Sequence, residues 1–386
     1  MFNVLIEFNN SPLLFEDPLE IISCSKLSDI PSAFNKIEEA LRSGHYLAGF
    51  LSYEAGYGFE ERLASKGSFD FPLIQFGVFK GPEESSLPAG QAGKPKAACL
   101  PGRQEMAKIR VRGINISKEE YFQNISRIRS HISAGDVYQI TYCIKFKFDH
   151  EGDPFTLYKE LKRRQPVPYP AYIDGDEFQI LSLSPEMFIR KRGSFVETKP
   201  MKGTWPRGRN LVSDLWAARC LHKDPKNRAE NIMIADLLRN DLGRIGRSVK
   251  WPRLFEVARY TTLCQMTSTV TAHVDPNVPI FDLFRAIHPS GSVTGAPKIR
   301  AMEIIREIEK EERNIYTGAI GYITPERDMF FNVPIRTLLI GKEQEQGLGQ
   351  GRGEMGVGGG IVWDSTAEGE WEEGMLKAKF LTQLSG

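Results

Sequence analysis

Apolar and polar residues alternate along many short stretches of this chain, at the period of half-buried strands. Residues 4–8, 45–53, 73–79, 137–148, 178–183 and 188–192 carry that pattern, as do 258–272, 318–323 and 329–340. Several follow one another through short turns, which predicts antiparallel sheets; Thr324-Pro325-Glu326-Arg327-Asp328 is such a turn. A 3.6-residue period replaces the alternation in four places. Ser117 with Glu120 three positions on has the spacing of a capping box, Tyr121, Ile125, Ile128 and Ile132 share one face, and Gly135 closes the helix. A second helix opens at Pro225 and carries Ile232, Ile234, Leu237, Leu238 and Leu242. A third follows Pro297, with Ile299, Met302, Ile305 and Ile308, and a last one covers 367–384.

Strands and helices in mixed order, without a regular βαβ alternation, predict an α+β fold: large antiparallel sheets packed as a sandwich with helices on the outside. Residues 1–386 read as a single domain, with an N-terminal lobe over 1–105 and a core over 106–386. Residues 83–104, rich in Pro, Gly, Ala and Ser, and 342–353, rich in Glu, Gln and Gly, read as surface loops.

Composition then removes whole classes of function. Fifty basic and 49 acidic side chains leave a net charge of +1, so nothing draws the whole chain to nucleic acid or anionic lipid, and any anion site is local. Five cysteines, at 24, 99, 143, 220 and 264, are odd in number and form no CxxC pair, which argues against a disulfide framework or a zinc site. No apolar run approaches the length of a membrane span, and the first residues lack a basic, cleavable leader. A soluble cytoplasmic protein is expected.

Candidate chemistry is concentrated in a few places. Lys202 stands in a turn bracketed by Pro200 and Gly203, and Glu186 follows Ser184-Pro185. A neutral lysine is a nucleophile, and a protonated carboxyl assists a departing hydroxyl. Glu230 lies in an early turn of the second helix; Glu373 and Lys377, four apart, share a face of the last one. Two such carboxylates suit one Mg²⁺, and equally suit a solvated helix face and a surface ion pair. Glycine turns at 291–298 and 358–360 offer backbone N–H groups to an anion, or are plain turns. Arg336 interrupts an apolar strand and needs a carboxylate, from protein or ligand; Tyr316 stands twenty residues before it. Pro334 interrupts pairing in the same strand. His288, before Pro289, reads as an ordered loop histidine.

Read together and in order, these segments resemble the chorismate-utilising enzymes. The blocks are Gly135-Asp136-Val137-Tyr138-Gln139, Ser184-Pro185-Glu186, Lys199 to Thr204, Ala229-Glu230-Asn231 with Leu237 to Arg244, Thr294 to Lys298, Phe331-Asn332 with Ile335-Arg336-Thr337, and Gly358 to Val362. The lysine before Gly203-Thr204 is similar to the aminodeoxychorismate synthase branch, where the anthranilate and isochorismate branches generally have a small residue. The resemblance implies Lys202 as nucleophile and Glu186 as acid, with Glu230 and Glu373 holding Mg²⁺. It implies substrate contacts from Gly203, Thr204, Thr294, Tyr316, Arg336, Gly358, Gly359, Gly360 and Lys377. It implies chorismate and ammonia as reactants, a separate glutamine amidotransferase subunit (component II) as partner, and a product on the route to 4-aminobenzoate and folate. Anthranilate synthase component I and a non-catalytic chorismate-binding subunit are the alternatives.

Overall fold

In a computed structural model the chain folds around two antiparallel sheets; residues 2–64, 67–83, 108–208, 210–259, 263–342 and 350–382 are described. The first sheet runs Gly295–Ala296, Gln139–Glu151, Gln350–Ile361, Thr337–Gly341, Phe178–Ser184, Tyr169–Asp174, Asn3–Ile6, Leu13–Phe15, with Lys108–Ile114 also on Gln139–Glu151. In the second, Leu263–Val274 has Gly246–Arg259 on one side and Phe195–Lys199 with its continuation Met201–Pro206 on the other. From Phe195–Lys199 the order goes on through Met187–Arg192, Met329–Asn332, Ala319–Ile323, Tyr46–Leu51, Ile74–Phe79 and Glu20–Cys24.

The sheets face each other across an apolar layer to which both contribute. Phe2, Val4, Phe15, Ile173 and Phe178 from one meet Ala48, Phe50, Phe79, Ile320 and Phe330 from the other. Aromatic pairs span it, Phe8 to Phe330 at 4.9 Å and Phe15 to Phe79 at 5.3 Å between ring centroids. Strand Tyr46–Leu51 shows how a buried strand loses its alternation. Ala48 and Phe50 point into the sandwich, while Leu47 and Leu51 point out to a second apolar cluster shared with Ile30, Phe34, Ile37 and Leu41 of helix Ile30–Arg42. The first eighty residues are divided between the sheets. Asn3–Ile6 pairs with Tyr169–Asp174 in one, and Tyr46–Leu51 with Ala319–Ile323 in the other.

Helix Lys118–Ser133 begins at the Ser117 cap, whose hydroxyl accepts the Glu120 N–H at 3.1 Å, and helices Pro225–Gly243, Lys298–Ile308 and Ala367–Thr382 follow the other periodic segments. Residues 383–384 of the last expected helix lie outside the described residues, as do 84–104 and 343–349 of the two expected loops.

Four expectations are corrected. Of the segment 258–272, residues 258–259 end strand Gly246–Arg259 and 263–272 belong to its antiparallel partner Leu263–Val274, while 260–262 lie outside the described residues. The segment 329–340 splits at Val333–Arg336 into strands of different sheets, and Pro334, without an N–H, sits in the break. Gly358 to Gly360 lie inside strand Gln350–Ile361, paired with Cys143, Tyr142 and Thr141, where a turn was expected; Gln350 to Gly353 also belong to that strand. Lys202 is on a strand, not in a turn.

Candidate active site

Strand Phe195–Lys199 and strand Met201–Pro206 run along the same side of Leu263–Val274, Thr198 opposite Val270 and Met201 opposite Thr267. Between Met201 and Thr204 the register slips, since Thr204 faces Gln265: three steps on one strand match two on the other. That extra residue is a bulge, which re-aims side chains, and Gly203 takes it up with a φ of +93° that a side chain would resist. A Cβ on Gly203 would also meet Asn227 Oδ1 at 2.9 Å. Behind the bulge, the buried amide of Asn231 accepts from Ser268 Oγ and donates to the Lys202 carbonyl at 3.4 Å.

Glu186 sits where the chain leaves strand Phe178–Ser184 of the first sheet for Met187–Arg192 of the second. Beside it, Val333–Arg336 makes the reverse passage. Hydrogen bonds join the two exchanges: Ser184 Oγ donates to the Val333 carbonyl at 2.5 Å, the Val333 N–H to the Glu186 carbonyl at 3.1 Å, and the Leu183 N–H to the Arg336 carbonyl at 3.1 Å. Arg336 has a left-handed φ of 52°, a conformation that carries the backbone out of one sheet and into the other.

The opposite wall is strand Gln350–Ile361 with helix Ala367–Thr382 over it. Gly356 has no room for a side chain because the Tyr316 ring lies on it. Lys377 Nζ donates to the Gly358 carbonyl at 2.8 Å and pairs with Glu373 Oε1 at 2.7 Å. A Cβ on Gly359 would reach Glu370 Oε2 at 2.9 Å, and one on Gly360 would reach Lys202 Nζ at 2.5 Å. The glycines thus leave a bare strip of backbone onto which charged side chains from two elements, helix Ala367–Thr382 and strand Met201–Pro206, project.

These walls enclose a cavity of ≈ 310 Å³, of the size of a small-molecule site. Glu186, Lys202, Gly203, Thr204, Glu230, Tyr316, Arg336, Gly358, Gly359, Gly360, Glu373 and Lys377 all line it. Thr294 does not: its side chain is fully buried, with Oγ1 donating to the Ser290 carbonyl at 3.1 Å, and its own carbonyl accepts the Thr141 N–H at 2.7 Å. Threonine in this turn builds the wall rather than the surface.

Burial sets the protonation pattern. It raises the Glu186 carboxyl to about 7, against the opposing pull of the Ser292 hydroxyl and of Lys202. It lowers Lys202 below the usual lysine range; Glu230 opposes that shift and Lys377 reinforces it. Lys377 holds Glu373 below the ordinary carboxylate value, whereas burial raises Glu370, whose Oε1 accepts from Ser365 Oγ at 2.6 Å. A carboxyl held up to about 7 and an amine whose proton is held less tightly than usual therefore face one cavity, shifts in the direction that acid–nucleophile chemistry requires.

No group of three or more His, Cys, Asp or Glu side chains among the described residues is gathered into a metal cage. Glu230 and Glu373 nonetheless line the cavity together. Two carboxylates facing a polar space fit a hard cation such as Mg²⁺, whose remaining positions are commonly taken by water and substrate.

Several cavity residues escape the sequence reading. Thr141, Lys226, Asn227, Gln265, Ser292 and Glu370 all line the cavity. Lys226 and Asn227 precede Glu230 by four and three residues on the same helix, so the helical period could have named them. Glu370 precedes Glu373 by three and was open to the same argument. Gln139, the last residue of the block that begins at Gly135, is fully buried next to Gly360, both its side-chain amide atoms without a partner. Behind the wall, Arg313 pairs with Glu309 at 2.6 Å and donates to the carbonyls of Thr141 at 2.7 Å and Val293 at 2.8 Å, bracing two elements at once. His288 is buried, its Nε2 2.9 Å from the Ser52 carbonyl, an ordered histidine as expected.

A family model described as "chorismate binding enzyme" matches residues 20–383. Over 273 residues the chain is 41% identical to aminodeoxychorismate synthase component 1 of Klebsiella aerogenes, a match that covers 70% of this chain and 59% of that protein, less than two thirds of its length. It is 33% identical over 375 residues to anthranilate synthase component 1 of Geobacillus stearothermophilus, covering 92% of this chain and 72% of that one. The crystal structure of anthranilate synthase component I from Streptococcus pneumoniae TIGR4 has the same fold, with a TM-score of 0.76 at 24% identity over 99% of this chain and 92% of that one.

Proposed function

Because the chain belongs to the chorismate-binding enzyme family, we propose that it aminates chorismate at C4, as component 1 of an aminodeoxychorismate synthase. The observation that carries this reading is the position of Lys202: its amine lies over Gly360, in the same cavity as the buried Glu186 carboxyl. Neutral Lys202 adds through its lone pair to ring C2, the two ring double bonds shift, and the C4–O bond breaks. Glu186 gives its proton to the departing oxygen, which leaves as water. Ammonia then adds at C4, the double bonds shift back, and Lys202 departs from C2. Hydroxide is a poor leaving group, so the proton from Glu186 is required at that step.

Chorismate carries two carboxylates, and the cavity offers cations for them. Arg336, Lys377 and the N–H groups of the glycine strip face the enolpyruvyl side, with Tyr316 as a phenol donor. Glu230 and Glu373 would hold Mg²⁺, which when bound offsets the charge of the ring carboxylate. Gly203 and Thr204, at the bulge, orient the ring towards Lys202. Ammonia comes from a separate glutamine amidotransferase subunit, and the product feeds 4-aminobenzoate and folate synthesis. No helix among the described residues is long and apolar enough to cross a membrane.

Anthranilate synthase chemistry, with amination at C2, is the second reading, favoured by the long match to the Geobacillus protein. Incubating the purified chain with chorismate, ammonium and Mg²⁺ separates the two. A product that an added lyase converts to 4-aminobenzoate supports C4 amination; fluorescent anthranilate as the main product overturns it.

A further inference from the structure

Glu186 is gripped by a neighbour that the reaction scheme above leaves idle. Ser292, only 5% exposed, donates from Oγ to Glu186 Oε1 at 2.5 Å. A serine has one hydroxyl proton, so that bond uses it, and the contact of 2.9 Å between the hydroxyls of Ser290 and Ser292 must run from Ser290 as donor. Ser290 is itself buried, and its Oγ also accepts the Ser292 N–H at 3.4 Å, at the start of the short turn Gly291–Val293. The result is a one-way row of hydroxyls ending on a single carboxyl oxygen.

We infer that Ser292 is a positioning residue for the proton transfer: by occupying Oε1 as a donor, it leaves the acidic proton on Oε2 of Glu186. This rests on the reading of Glu186 as the acid. A protonated carboxyl has one oxygen that accepts and one that donates, and an incoming O–H···O bond at Oε1 settles which is which. When the proton passes from Oε2 to the departing oxygen, Glu186 becomes a carboxylate and the Ser292 bond becomes charge-assisted, hence stronger. The serine thus stabilises the charged product of the step more than its neutral start, the condition for accelerating it. The other groups acting on the carboxyl are the Met201 N–H and the Lys202 amine, with Glu230, Glu373 and Lys377 acting on Lys202 in turn.

The test uses the full chain with Ser292→Ala, Ser292→Thr, Glu186→Gln and the Ser292→Ala/Glu186→Gln double variant. With chorismate, ammonium and Mg²⁺, Ser292→Ala should lower kcat about 10- to 100-fold with little change in KM, and move the alkaline limb of the kcat profile upward by roughly one pH unit, the worth of one hydrogen bond to a charged group. Ser292→Thr, which keeps the hydroxyl, should recover most of the rate. In the Glu186→Gln background Ser292→Ala should cost nothing further. Infrared difference spectra of the free protein, referenced to Glu186→Gln, should show the Glu186 carboxyl band and its titration midpoint displaced by Ser292→Ala, a readout independent of turnover. An unmoved band and pH limb, or an equal loss in the Glu186→Gln background, overturns the inference. Product identity, measured on the unaltered chain, tests the C4 reading separately.

Discussion

A Cβ on Gly360 would stand 2.5 Å from Lys202 Nζ and 2.8 Å from Gln139 Nε2. Both are the far ends of side chains, so a methyl group there moves the amine and the amide rather than the backbone. Gly360→Ala should therefore fold with a melting temperature close to that of the parent chain, yet lose at least roughly 100-fold in kcat, as expected when a reacting group shifts by about 1 Å. Thermal unfolding and steady-state rates on one preparation check both halves.

Lys202→Ala removes the nucleophile and leaves the cavity wall in place. C4 amination should fall roughly 1,000-fold or more, as when an enzyme loses a covalent nucleophile. Slow direct addition of water or ammonia at C2 is the expected residue of activity, visible by product chromatography. Full C4 amination by this variant would rule out the covalent route.

Acidity offers a third check, with a definite sign. Burial holds the Glu186 and Glu54 carboxyls at about 7 in the folded protein, above the ordinary 4.5. Each keeps its proton in the folded state over a range in which the unfolded chain has lost it. Their contribution is fully present below about pH 4.5, declines as pH rises, and is gone above about pH 7, a loss on the order of 3 kcal/mol for each. Glu186→Gln should flatten part of that decline in denaturant titrations at pH 5, 6, 7 and 8. In the parent chain, kcat should fall above about pH 7 as the acid form of Glu186 disappears.

Metal dependence is tested through Glu230. Glu230→Gln keeps the shape of the side chain and removes its charge, so the Mg²⁺ concentration for half-maximal activity should rise about tenfold or more. An unchanged titration would remove Glu230 from the metal site.

Arg313 and Glu309 form an ion pair in which both side chains are nearly inaccessible, 2% and 6% exposed. Arg313→Met would strand the Glu309 carboxylate and free the carbonyls of Thr141 and Val293. A loss of about 3–5 kcal/mol in denaturant unfolding is expected, typical of breaking a buried pair from one side.

How far the sequence could carry the reading depended on the range of each interaction. The Ser117 cap, the Pro225 start and the glycine after Ile132 act within a turn of helix, and each marks a helix end in the structure. The motif blocks named a set of residues that meet around one cavity, apart from Thr294. What stayed hidden lies between distant segments. Ser292 and Glu186 are 106 residues apart, and their bond has no local signature. The bulge at Lys202 follows from register against Leu263–Val274, so a Pro and a Gly looked like a turn. The segment 329–340 is apolar on both sides of Pro334 and Arg336, and only its pairing partners reveal two strands in two sheets.

The paired exchanges at Ser184–Glu186 and Val333–Arg336 have a consequence for how this architecture tolerates change. Because they are bonded to each other at the seam between the sheets, the acid and the guanidinium share one datum. A substitution that alters the spacing or angle of the two sheets carries both groups along, keeping their separation. Lys202, on a strand near the sheet margin, and Lys377, on a covering helix, hang from other parts of the frame. Drift in the apolar layer would thus rescale the distance from the fixed pair to the amines, and be felt as a graded loss of rate before any loss of substrate recognition at the seam.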